Sequence, residues 1–142
     1  MRICGISFNS SNTVLAIIDQ SDDGTISPVE CETRQIPLDD HEDSACLRSF
    51  IETVNTLMRE FSVDSIAIRK CSYSGKYQSG AASLKMEALL QVADGVAVLV
   101  SPQTVAACCK SANVPIPAGI KKYQEDAFNV AVAYAMRRKN GK

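Results

Sequence analysis

Between Arg69 and Lys85 the chain carries four cations, Arg69, Lys70, Lys76 and Lys85, and no acidic residue. Ser72, Ser74, Ser79 and Ser83 add hydroxyls, and Tyr73 and Tyr77 add aromatic faces. Gly75 and Gly80 supply backbone that can approach a ligand closely. Cations, hydroxyls and flat π-faces together suit a phosphate or a single-stranded nucleic acid. A helix beginning just after such a loop would add free amides and the positive end of its dipole. The stretch is not a Walker loop, because no lysine closes a G-x-x-x-x-G-K-[ST] pattern. The plainer alternative is a solvated loop whose tyrosines pack on a sheet edge. The expected anion or nucleic-acid contacts are Arg69, Lys70, Ser74, Gly75, Lys76, Tyr77 and Lys85.

Acidic chemistry is confined to a few places. Glu87, Glu125 and Asp126 are the weak catalytic candidates, since three carboxylates brought together could hold magnesium. Glu125 and Asp126 have a second use as first-turn carboxylates at a helix N-terminus. Lys85 and Glu87 are two residues apart and cannot pair across one helical turn. If Leu84, Ala88 and Val92 face the sheet, Glu87 lies beside that stripe, and Arg69 becomes a salt-bridge partner for Glu87 or Asp126. The acidic run Asp39-Asp40-His41-Glu42-Asp43 reads as helix capping, with His41 at the surface. The six cysteines form no C-x-x-C pair and the chain has a single histidine, so no zinc site is expected; without a secretory signal a disulfide framework is not expected either. Small buried thiols are the expected reading, and no resident metal is assigned.

The elements that must position these groups follow from hydrophobic period. Arg2–Phe8 and Thr13–Asp19 read as buried strands joined by the polar turn Asn9-Ser10-Ser11-Asn12. Ser21-Asp22-Asp23-Gly24 is a second turn, leading to a more polar third strand, Val29–Leu38. Leu47, Phe50, Ile51, Val54, Leu57, Met58 and Phe61 form one helical stripe. Val63–Lys70 is a fourth strand, the Cys71–Gly80 loop leads to a helix over Ala81–Ala93, and Val96–Val100 is a fifth strand. Ser101-Pro102 starts another helix with a capping hydroxyl and a proline at its first position. The last helix is expected from Lys121. Two helical crossovers put strands four and five parallel to strand one. The fold class is α/β, a five-stranded mixed sheet with three antiparallel strands, then two parallel ones, and helices on both faces.

At 142 residues, 46% hydrophobic and 22% charged, with a net charge of −1, the chain fits one domain spanning residues 1–142 and carries no global field for nucleic acid or lipid. Met1-Arg2-Ile3-Cys4-Gly5 enters a strand with no apolar leader, and no apolar run reaches membrane-spanning length. The expected compartment is the cytoplasm.

Three stretches resemble the RuvC-type Holliday-junction resolvases of the ribonuclease-H-like superfamily. They are Arg2-Ile3-Cys4-Gly5-Ile6-Ser7, Ile66-Ala67-Ile68-Arg69 and Glu125-Asp126-Ala127-Phe128-Asn129-Val130-Ala131. The chain also resembles a small group of bacterial proteins, catalogued as a domain of unknown function, that share the Gly75–Ala88 motif Gly-Lys-Tyr-x-x-Gly-Ala-Ala-x-x-Lys-Met-Glu-Ala. The resolvase resemblance implies two magnesium ions held by carboxylates on strands one and four and on the last helix. Carried onto this chain, those positions hold Ser7, Arg69, Tyr123 and Asp126. No Asp or Glu occurs from Met1 to Ile18 or from Ser65 to Leu84, so the loss survives a shift of register.

Three functions compete on this reading. The first is a catalytically degenerate ribonuclease-H-like module that binds nucleic acid or another phosphate-bearing ligand through the loop after strand four. The second is a divergent nuclease using Glu87, Glu125 and Asp126, the one case that would need magnesium. The third is a non-enzymatic assembly module, for which the small residues of the last helix offer a homodimer surface.

Overall fold

The computed structural model describes residues 1–141. Strand β1 (Arg2–Asn9) and strand β2 (Asn12–Gln20) form a hairpin closed at Asn9 and Asn12. Ser10 turns the corner at φ 57°. The expected single third strand is corrected to two short ones, β3 (Ile26–Val29) and β4 (Gln35–Pro37). Both run antiparallel to β2, β3 opposite Ile17–Gln20 and β4 opposite Asn12–Val14. Between them the chain leaves the edge over residues 30–33, rejoining it where Arg34 O accepts the Leu15 N–H at 3.0 Å, and a cleft of about 330 Å³ opens there against β2 and Ile120. Pro28 and Pro37 fit this outer edge, where a missing N–H costs no ladder bond.

Strand β5 (Ser65–Arg69) lies parallel to β1, and β6 (Val96–Val100) parallel to β5. The order is β3-β2-β1-β5-β6, with β4 sharing the outer edge of β2. The mixed α/β sheet is therefore as expected in class, with six strands in place of five.

Helix α1 (Ser44–Glu60) starts where Asp43 accepts the Ala45 N–H at 2.9 Å, so the acidic run does supply the cap. Helix α2 (Ala81–Gln91) follows the β5–α2 loop. Helix α3 (Pro102–Ala112) is capped by Ser101 and ends at Asn113 in the left-handed region. The last helix starts later than its sequence suggests: a 3-10 turn (Lys122–Gln124) precedes α4 (Glu125–Gly141). Gln124 is buried and holds that junction, donating to Leu15 O and accepting from Lys121 N, both at 2.9 Å.

The sheet is covered on both faces. Cys4, Ile6, Leu15, Ile17, Ile66 and Ile68 pack under α1 and α2. Ile3, Ala16, Ile18, Ala67 and Val100 pack under α4. Gly5 explains how closely α4 lies on β1, since a Cβ there would stand 1.9 Å from Ala127 O and 2.8 Å from the Ala131 methyl. Ala127, Ala131 and Ala135 are fully buried. The small-residue face of α4 is thus spent on the sheet, which corrects its expected use as a homodimer surface. Among the described residues no helix is long and apolar enough to cross a membrane.

Candidate functional site

Gly5 pairs with Ala67 and Ile6 with Ile68, so Ser7 and Arg69 come next at the C-terminal ends of adjacent strands. Side chains alternate along a strand, which puts Ser7 and Arg69 on the face covered by α4. Gly5 meets Ala127 while Tyr134 donates to the Ser65 hydroxyl at 3.3 Å, so α4 runs antiparallel to β1 and β5. Its first turn, with Glu125 and Asp126, therefore lies toward the same end of the sheet. Ser7 is buried, Arg69 half-buried and Asp126 exposed. Among the described residues Arg69 forms no ion pair; the salt bridges are Arg2–Asp19 and Arg59–Asp94. The expected Arg69 bridge to Glu87 or Asp126 is not made.

Glu87 instead turns to neutral donors. It is 3% exposed. One carboxylate oxygen accepts the Cys71 backbone N–H at 2.7 Å, and the other accepts the Tyr73 hydroxyl at 2.5 Å. The buried face of α2 is Ser83, Met86, Glu87 and Leu90. Ala88 and Val92 are exposed, which corrects the expected stripe by about one residue's rotation. Within the sheet-facing side Thr13 donates to Met86 Sδ at 3.3 Å. Glu87 is occupied in holding the loop, and no group of three or more His, Cys, Asp or Glu side chains among the described residues could hold a metal ion. Glu87, Glu125 and Asp126 are not gathered into a ligand set.

The β5–α2 loop, residues 70–80, is ordered by its own hydrogen bonds. Ser72 N donates to Ser79 Oγ at 3.0 Å, Ser79 N to Ser72 O at 2.8 Å, and Ser72 Oγ to Ser74 O at 3.0 Å. Gly75 adopts φ 92° at the tip, a conformation that favours glycine. Lys70 Nζ stands 5.0 Å from the Tyr73 ring centroid and Lys76 Nζ 5.6 Å from that of Tyr77, both within cation–π range. Tyr77 is 83% exposed and Tyr73 50%. Lys70, Ser74, Gly75, Lys76 and Tyr77 are each exposed to solvent, and Arg69 is half-buried at the end of β5. Lys85 is apart from them: its Nζ donates to His41 O at 2.8 Å, tying α2 to the segment before α1. His41 is half-buried, with Nδ1 enclosed and without a partner among the described residues, in place of the expected surface position.

The bond to Glu87, then burial, pushes the Tyr73 phenol up to about 12. Burial pushes the Cys71 thiol up to about 11, with the Glu87 charge adding to it, and burial raises Cys4 further. All six cysteines are free thiols; Cys4 and Cys71 are buried as expected, whereas Cys31, Cys46, Cys108 and Cys109 are only half-buried, which corrects the expectation for those four. The Tyr73–Glu87 bond has no sequence signal, because its partners are 14 positions apart on a loop and a helix.

The family described as "Protein of unknown function (DUF3010)" matches residues 1–134. No curated protein matches the sequence. Among solved structures, the chain is similar to Thermus thermophilus RuvC, at 11% identity and a TM-score of 0.75 over 99% of this chain and 97% of that one. It is also similar to T. thermophilus RuvC in complex with Holliday junction substrate, at 13% identity and a TM-score of 0.67 over 99% and 97% of the two chains. The yeast mitochondrial Holliday junction resolvase Ydc2 follows at 12% identity and a TM-score of 0.59, over 94% of this chain and 78% of that one. At such identities the likeness is one of fold: the chain is a ribonuclease-H-like α/β protein.

Proposed function

The chain belongs to the DUF3010 family, and we propose that within it this ribonuclease-H-like domain, residues 1–142, is a nucleic-acid-binding module without two-metal catalysis, its ligand held by the β5–α2 loop. One observation carries the proposal. Two exposed tyrosine rings, each with a lysine over it, stand on a loop braced by its own serines, beside Arg69, and these cations form no ion pair among the described residues. Aromatic faces suit base stacking and the cations suit the phosphate backbone. The solved structures that share the fold include a resolvase bound to junction DNA, which favours nucleic acid over another phosphate-bearing ligand.

The strand ends do not suit two-metal catalysis. Phosphodiester hydrolysis by two metals needs carboxylates that hold both ions beside the reacting phosphate. Ser7 and Arg69 occupy those strand ends, and a guanidinium there repels a divalent cation. Glu87, the one buried carboxylate nearby, is engaged by Cys71 N and Tyr73.

Fluorescence anisotropy with labelled single-stranded DNA, duplex and a four-way junction, at low salt and with chelator present, tests the proposal. Binding that weakens strongly when Arg69, Lys70 and Lys76 are neutralised together is expected. No binding of any of these at low salt would overturn it. Cleavage of any substrate in magnesium or manganese would return the divergent-nuclease reading.

A further inference from the structure

Strand β6 closes one edge of the sheet with the sequence Val96-Ala97-Val98-Leu99-Val100, which has no charge and no proline. The Lys70 N–H donates to Val100 O at 2.9 Å. With Val96, Val98 and Val100 in register with Ser65, Ala67 and Arg69, that bond turns the backbone polar groups of these three valines toward β5. In a strand the N–H and C=O of successive residues point to opposite sides. Those of Ala97 and Leu99 therefore point outward, and among the described residues they have no hydrogen-bond partner. Exposed strand edges are normally blunted by charge, proline or a bulge; β6 has none of these. The neighbouring apolar surface is also open, with Val96 60% and Val92 75% exposed.

We propose that this edge pairs with the same edge of a second copy of the chain, β6 running antiparallel to β6 about a two-fold axis through Val98. The choice of partner follows from parity. The outward-facing residues are two positions apart, so the axis through Val98 sets Ala97 of one copy opposite Leu99 of the other, and Leu99 opposite Ala97. All the outward N–H and C=O groups of both pairs are then satisfied by an isologous contact. Val98 meets Val98 across the axis, a close non-hydrogen-bonded pair, and Val96 is covered opposite Val100. Because β6 is uncharged, the two-fold brings no like charges together along it. A foreign strand would have to match this register, whereas a second copy does so by symmetry.

Sedimentation equilibrium of the full chain across a micromolar concentration series, with amide hydrogen exchange on the same samples, tests this. A dimer is expected, in which the Ala97 and Leu99 amides become more protected as concentration rises. Val98→Lys sets like charges opposite each other and should raise the dissociation constant at least about tenfold. Val96→Lys, at an exposed position that does not burden folding, should weaken the dimer in the same direction. Leu99→Pro removes an outward donor while leaving the β5 ladder intact, and should also favour the monomer. A monomer across the whole series would overturn the proposal. So would a dimer whose constant is unchanged in both lysine variants, or protected Ala97 and Leu99 amides in a monomer.

Discussion

The buried carboxylate of Glu87 accepts the Tyr73 hydroxyl at 2.5 Å, joining the middle of α2 to the base of the β5–α2 loop. The same carboxylate takes the Cys71 N–H, so one side chain fixes both the exit of β5 and the ring on which Lys70 rests. Glu87→Ala leaves the Cys71 amide buried without its acceptor, and should cost about 1–3 kcal/mol. Glu87→Gln, which keeps an acceptor oxygen, should cost less. Urea denaturation measures the difference, and exchange of the amides over residues 70–80 should quicken most in the alanine variant.

Tyr73 should titrate late. Its phenol, ordinarily near 10.0, is pushed up to about 12, first by the bond to Glu87. A folded-state value raised above the unfolded one means that the stabilisation is fully present below pH 10 and is lost as pH rises toward 12. Ultraviolet titration of phenolate should show one late component, absent in Tyr73→Phe and shifted down in Glu87→Gln.

Much of this arrangement is legible in the sequence, and the rest fails for identifiable reasons. Helix α1 shows its buried side because Phe50, Val54, Leu57 and Met58 repeat against a polar background. Helix α2 offers no such contrast. Leu84, Ala88 and Val92 recur at helical spacing while the buried face includes the polar Ser83 and Glu87, so the pattern selects a stripe that leaves Glu87 at its side when it lies within the buried face. The split between β3 and β4 is invisible for a different reason. Alternation continues through Val29–Leu38, and only the pairing partners on β2 reveal that residues 30–33 leave the edge. The charged strand end at Arg69 was readable; its lack of a carboxylate partner was not, because hydroxyl and amide donors satisfy a buried carboxylate as well as a cation does.

Gly5→Ala should be among the most damaging single substitutions. The added methyl would overlap Ala127 O, a backbone atom that cannot yield without moving α4. Overpacking of this kind costs about 1–3 kcal/mol and sometimes more, and thermal denaturation should show a loss at the upper end or a failure to fold. The equivalent change at Gly80, where nothing lies within 4 Å of a new Cβ, should be mild.

The clamp at the other end of β1 predicts an acid response. Arg2 donates to both carboxylate oxygens of Asp19, at 2.8 and 3.1 Å, and to Phe61 O at 2.8 Å. The hydrogen bond from Arg2 holds the Asp19 carboxyl below its ordinary 3.8. A lowered folded-state value gives stability that is present above pH 3.8 and lost as pH falls through the folded value. Asp19→Asn should therefore flatten the acid limb of the stability curve below about pH 4. The effect should be small, because the pair is partly solvated.

Binding of nucleic acid through the cations of the β5–α2 loop should register in the salt dependence of single-strand affinity. Each phosphate contact contributes about 0.7 to the slope of log K against log salt. The wild-type chain should bind with a clear negative slope. Neutralising Arg69, Lys70 and Lys76 together should make that slope shallower by about 2. A triple variant that binds with the wild-type slope would mean that these cations do not contact the phosphates.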